Sequence, residues 1–195
     1  MKKFQKILCL ALSALMLLGN TVAASAATNT DEFEYLKSAI ETVNSIPESE
    51  IEQFIEDNQE WIDEIGERLD AYLENIPEDE QNDEVTKLMG GNPLSRSGNL
   101  DKYFKSTKYH KRGGYWTYTM SPKWGVRLWG PTMKAGWEEL GKTYSGIRND
   151  NGSLWNQYRC HWDYDVFGLV AGEWDLEEGR PVIAYSGMFA ALCNP

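Results

Sequence analysis

The chain has 195 residues, of which 42% are hydrophobic and 12% aromatic, and a formal net charge of −11. That much aromatic surface is enough to bury a core, while the acidic balance repels polyanions, so nucleic acid is not an expected partner. Nothing in the composition names a reaction, and no cofactor is expected.

Residues 1–26 have the three-part layout of a secretory signal peptide. Lys2, Lys3 and Lys6 form a basic start, Ile7 to Leu18 an apolar stretch, and Ala24-Ser25-Ala26 a cleavage site. The apolar stretch is shorter than the roughly 18 to 20 residues that span a bilayer. Cys9 lies inside it, not at the cleavage site where a lipoprotein would need it. Cleavage after Ala26 leaves two cysteines, a formal charge of −14 and no transmembrane segment, so a secreted, extracellular protein of bacterial type is expected.

The remaining charge is divided. Residues 28–90 hold 20 acidic and three basic side chains, whereas residues 96–148 hold 11 basic and three acidic. Seven of the eight tryptophans lie between Trp116 and Trp174. Segments with such different chemistry are expected to keep separate cores. The predicted organisation is a signal peptide (1–26), an acidic helical region (27–90), a linker (91–101) and a C-terminal disulfide-closed domain (102–195).

In the acidic region, Phe33, Leu36, Ile40 and Val43 recur at three- and four-residue spacing and predict a helix from Asp31 to Ile46. Ser49 and Glu52 match a capping box that starts a second helix, Ser49 to Ile76. Its apolar seam runs through Ile51, Ile55, Ile62, Ile65, Leu69, Tyr72 and Ile76, with Asn58 as the polar entry. A short third helix follows around Glu80 to Met89, closed by Gly90-Gly91. The result is an acidic hairpin, read either as a solvated face or as a pro-segment masking the basic stretch through an intramolecular acidic–basic contact. Arg96, in the linker-like stretch Gly90 to Asn99, is a candidate for proteolytic nicking.

Beyond the linker, Tyr115 to Met120 and Trp124 to Leu128 both alternate around Ser121-Pro122-Lys123, which predicts a β-hairpin. Pro131 to Leu140 reads as a short helix. Ser153 to Trp162 fits a helix and a strand about equally, and is read as a short helix running into a strand near residue 162. The apolar run Val182 to Leu192 reads as strand broken at Gly187. The fold class is α+β with an antiparallel sheet. In an oxidising compartment Cys160 and Cys193 would close the domain as a disulfide.

Gly136 to Thr143 matches the G-x-x-x-x-G-K-T phosphate loop. No strand precedes it and two glutamates sit inside it, so phosphate binding is not expected. His110 reads as a surface histidine in a lysine-rich loop. His161 adjoins Cys160 and is pinned beside the disulfide, with Asp163, Asp165, Asp175 and Glu177 as candidate carboxylate partners and Arg180 as an anion-binding group. Such a set suits general acid–base chemistry at a glycan or phosphodiester. The competing reading makes Glu177 and Arg180 an ordinary i, i+3 ion pair and the cluster a structural clasp. No metal-ligand set or serine elbow is present. The aromatic and basic residues from 103 to 129 could stack on sugars or bases, or simply be core and solubilising residues.

The string Gln157-x-x-Cys160-His161, Trp174-x-Leu176-Glu177-x-x-Arg180-Pro181 and Cys193-Asn194-Pro195 resembles an uncharacterised domain family of secreted bacterial proteins, catalogued only as a domain of unknown function. The likeness covers about Tyr115 to Pro195. Asp175, Glu178 and Gly179 stand where members often carry Asn, Pro and Trp. The resemblance implies secretion and the Cys160–Cys193 pairing, and implies no activity. The expected function is a secreted binding or effector module, acting on a cell-envelope component or on a competing bacterial cell. The alternatives are a small hydrolase using His161, a carboxylate and Arg180, and a structural protein that oligomerises through its helices.

Overall fold

Helix α1 (Asn29–Ser45) forms where the apolar spacing places it: Leu36, Ile40 and Val43 are buried along one face and Phe33 packs beside them. The computed structural model describes residues 29–95, 98–165 and 172–195. The expected signal peptide and Arg96 lie outside those residues.

The single long helix expected from Ser49 to Ile76 is two, α2 (Ile51–Asp57) and α3 (Gln59–Leu73). Asn58 makes the break. Its Nδ2 donates 2.8 Å to the Phe54 carbonyl, and its own backbone N–H turns to Ile55 instead. A side chain that takes the i−4 carbonyl ends the helical ladder there. The predicted capping box does not form either, since α2 begins at Ile51 after Glu50 with no side-chain cap. Helix α4 (Glu78–Leu88) follows, and Gln81 reaches back from it to the carbonyls of Leu73 and Ile76 at 3.0 and 3.1 Å. Those carbonyls lie at and just past the end of α3, where the helical ladder runs short of donors; Leu73 O also accepts from Ile76 N at 2.9 Å.

The hairpin is displaced from its expected position. After α5 (Leu100–Tyr103), β1 (Phe104–Arg112) pairs antiparallel with β2 (Tyr115–Pro122). Gly113 and Gly114 turn the chain at φ +58° and +96°, values that suit a two-glycine hairpin turn. Trp124 to Leu128, expected as the second strand, is instead helix α6. Helices α7 (Gly130–Thr143), α8 (Ser145–Arg148) and α9 (Ser153–Tyr164) come next. Helix α9 runs through the whole of the ambiguous segment, and the Asp150 carboxylate accepts the Leu154 and Trp155 N–H groups at its start. The third strand is β3 (Trp174–Glu177), which pairs antiparallel with β2 to give the order β1-β2-β3. The apolar tail expected as a strand is a helix, α10 (Tyr185–Ala190).

The expectation of separate cores fails. One continuous cluster runs from Leu36 through Ile65, Leu88 and Tyr103 to Trp124, Leu140 and Trp174, and residues 32–195 form one compact unit. Polar contacts stitch the two halves: Trp129 Nε1 donates to Ile62 O at 3.1 Å, Gly125 N to Asn44 Oδ1 at 2.9 Å, and Thr86 and Tyr103 share a hydroxyl bond at 2.9 Å. The acidic residues occupy the outward helix faces, which is why net charge misreported the inward ones. The stretch expected as a linker is also pinned, because Asn99 donates its backbone N–H to the buried Glu139 at 2.7 Å.

A buried ion pair joins Arg127 to Asp165, and Arg127 lies between the rings of Trp124 and Trp174 at 5.1 and 5.7 Å. Burial pushes the Asp165 carboxyl up to about 6, with Arg127 and the Trp174 N–H pulling the other way.

Candidate functional site

The disulfide expected from the sequence is present, linking Cys160 of α9 to Cys193 with 5.4 Å between their Cα atoms. It brings the chain's last residues against β3, and the result explains most of the family-like string. β3 is an edge strand, so its outer N–H and C=O groups lack a neighbouring strand. Side chains replace one. Gln157 donates to Glu177 O at 3.1 Å and accepts from Glu177 N at 2.8 Å. His161 Nε2 lies 3.0 Å from Asp175 O. Asn194, in the amide orientation that faces its nitrogen to acceptors, donates to Asp175 O at 3.0 Å and to Gln157 Oε1 at 2.8 Å.

This geometry gives His161 a structural task. Its ring lies nearly parallel to the buried Trp174, 6.3 Å away, and burial lowers its pKa, so the neutral ring donates to a backbone carbonyl. Of its proposed partners, Asp163 instead accepts from the Tyr185 hydroxyl and lies 3.7 Å from Arg159. Asp165 is taken by Arg127. Asp175 reaches His161 only through its backbone, and its carboxylate faces Thr119 and Arg112 on the other side of the strand. Glu177 and Arg180 do pair, at 2.6 Å, and the Arg180 guanidinium sits 3.9 Å from the centre of the Tyr115 ring. Glu177 and Arg180 thus form the i, i+3 ion pair that their spacing predicts. The G-x-x-x-x-G-K-T match lies inside α7, where Glu139 pairs with Lys142 at 2.6 Å. Among the acidic–basic contacts expected between the halves, Glu48 pairs with Lys105.

Two features of the hairpin give a definite arrangement to the aromatic and basic residues from 103 to 129, whose strand pairing the sequence reading missed. The first is a stack of rings. Tyr109 lies between Trp116 at 5.0 Å and Tyr118 at 4.5 Å, each with an interplanar angle of 21°, and Tyr144 closes the row beside Tyr118 at 5.1 Å. Trp116 and Tyr109 are 49% and 43% exposed, whereas Tyr118 is buried. The stack is held in register from below: the Tyr109 hydroxyl donates to one oxygen of Glu178 at 2.8 Å and the Tyr118 hydroxyl to the other. Burial and Glu178 raise the Tyr118 pKa, so that hydroxyl stays protonated and donating. Gly146 lets Glu178 in, since a Cβ there would collide with Glu178 and the Tyr118 hydroxyl. The period-two signal that would have found β1 is masked because Lys, His and Arg occupy its outward positions.

The second feature lies on the opposite face of the hairpin. His110 is on β1, not in a loop, and its Nε2 lies 2.8 Å from Thr119 Oγ1, which donates 2.5 Å to Asp175 Oδ1. Elsewhere, two open depressions of about 310 and 360 Å³ lie along α4 and α7, away from His161, His110 and the ring stack. Among the described residues no group of three or more His, Cys, Asp or Glu is placed to hold a metal, and no helix is long and apolar enough to cross a membrane.

Residues 104–195 match the model of a family described as protein of unknown function (DUF2599), which thus covers the sheet, the ring stack and the disulfide. No curated protein and no solved structure matches the chain.

Proposed function

We propose that the protein is an exported binding module that acts at a bacterial cell envelope, with the Trp116–Tyr109 stack as its contact surface for glycan. The observation that carries this reading is two large aromatic rings left half exposed yet held in fixed orientation by Tyr118 and Glu178. Exposed aromatics are normally costly, and rigid ones are favoured where a ligand must be met with little loss of side-chain entropy. A saccharide ring offers a flat C–H face to such a platform and hydroxyls to its polar rim, where Lys111 stands opposite Trp116 in the strand register. Export follows from the signal-like start and agrees with a disulfide, which persists in oxidising compartments.

The test is co-sedimentation of the chain spanning residues 27–195 with purified cell-wall glycan. Trp116→Ala should weaken retention by about tenfold, the cost of a central aromatic anchor. Tyr109→Ala should behave alike. Retention that is unchanged in both variants would remove the ring stack as the contact surface.

A further inference from the structure

We propose that the opposite face of the same hairpin carries a second binding site, for an oxyanion group (a carboxylate or a phosphate), formed by Lys108, His110 and Arg112. These residues alternate along β1 and therefore share one face, across from Thr119, Thr117 and Tyr115 in the strand register. That face is turned away from Met120 and Tyr118, which are buried on the core side.

Solubilising side chains on a strand are ordinarily unconstrained, but two of these three are fixed. Thr119 gives its proton to Asp175 Oδ1, so its oxygen accepts from His110 Nε2–H, and this sets the histidine tautomer. Asp175 Oδ2 holds Arg112 by one Nη. A single carboxylate thus positions both groups, through the threonine hydroxyl on one side and directly on the other.

What remains is a set of donors with a net positive charge. Arg112 has used one N–H of a five-donor fork, and such forks match the geometry of carboxylate and phosphate. Lys108, paired with Thr119 in the strand register, adds a second permanent cation to this face. In this tautomer His110 keeps Nδ1 for a ligand, as an acceptor for the proton of a hydrogen phosphate. Against these stand Asp175, whose oxygens are both already engaged, and Glu177 on the same face of β3, which is paired with Arg180 at 2.6 Å. Lys108, His110 and Arg112 are exposed while Thr117 and Thr119 across from them are buried, so the donors sit at an open strand border, which suits a group displayed on a larger molecule. The site is independent of the ring stack, so the two readings stand or fall separately.

The experiment titrates inorganic phosphate and, separately, acetate into residues 27–195 at constant ionic strength, following side-chain NMR signals of Arg112 and His110. Saturable shifts are expected with at least one ion, and the ion that works identifies the class. Arg112→Gln should weaken binding by about tenfold, the worth of a charge-assisted hydrogen bond. Arg112→Lys should fall between, because it keeps charge and loses the fork, while Trp116→Ala should bind the ion as the parent does. The proposal is overturned if neither ion saturates, if chloride gives equal shifts, if Arg112→Gln binds unchanged, or if Trp116→Ala abolishes ion binding.

Discussion

Replacing Cys160 and Cys193 together by alanine should lower the unfolding free energy by about 4 kcal/mol. The bond closes a loop with a sequence separation of 33, and the chain-entropy relation gives about 3.8 kcal/mol for a loop of that size. For a chain of this length each kcal/mol corresponds to about 2 to 4 °C, so the midpoint of thermal unfolding should fall by about 8 to 15 °C. The loss should also be local. Leu192 and Cys193 have φ of +51° and +67°, a region that L-residues enter at a cost of about 1 to 2 kcal/mol each. Without the covalent tie, the Leu192 and Cys193 N–H bonds to Phe189 O and Met188 O are left to hold that conformation, and Asn194 should leave Gln157 and the β3 edge more readily. Calorimetry gives the midpoint, and amide exchange at Glu177 reports the edge, because that N–H is held by Gln157. A double variant that melts within 2 °C of the parent, with Glu177 equally protected, would refute the reasoning behind both the magnitude and the edge closure.

Three further outcomes follow from the packing. A fragment of residues 94–195 should fail to fold, because the Leu36, Ile40, Ile65 and Leu69 side chains complete its core; a dispersed NMR spectrum of the fragment would contradict this. Gly146→Ala should unseat Glu178 and the ring stack, lowering stability by about 1 to 3 kcal/mol in urea titrations and weakening glycan retention with it. The Asp165 carboxyl binds its proton more tightly in the folded state, at about 6 against a usual 3.8. Its stabilising contribution is therefore greatest below pH 4 and is lost as pH rises through 6, by about 3 kcal/mol in all. Asp165→Asn lacks that slope, so the stability gap between parent and variant should narrow by about that amount from pH 4 to pH 7. A gap that widens would reverse the sign of the argument.

What was legible in the chain divides along physical lines. Leu36, Ile40 and Val43 betrayed α1 because a helix with one buried face repeats its apolar residues over several turns. The paired cysteines and the i, i+3 spacing of Glu177 and Arg180 were legible for a similar reason, since each is a local constraint. Trp124 to Leu128 deceived because five residues cannot separate a period of 2 from one of 3.6, and Tyr185 to Ala190 deceived as a short apolar run of either type. β1 was hidden because one of its faces meets solvent and carries Lys108, His110 and Arg112, so its sequence reads as a charged loop. His161 drew attention as a reactive group, yet its role depends on the exposed edge of a strand 14 residues away, which no local pattern announces. The shared core was illegible from charge, which samples only the surface.

The two borders of the sheet are guarded by different means. On the β3 side the amides of Gln157 and Asn194 and the imidazole of His161 occupy the places where another polypeptide's backbone would dock. On the β1 side Lys108 and Lys111 confront any incoming copy with like charge, a common deterrent at open borders. Such a sheet resists stacking copies into fibrils, because neither border offers a second chain an unguarded backbone edge.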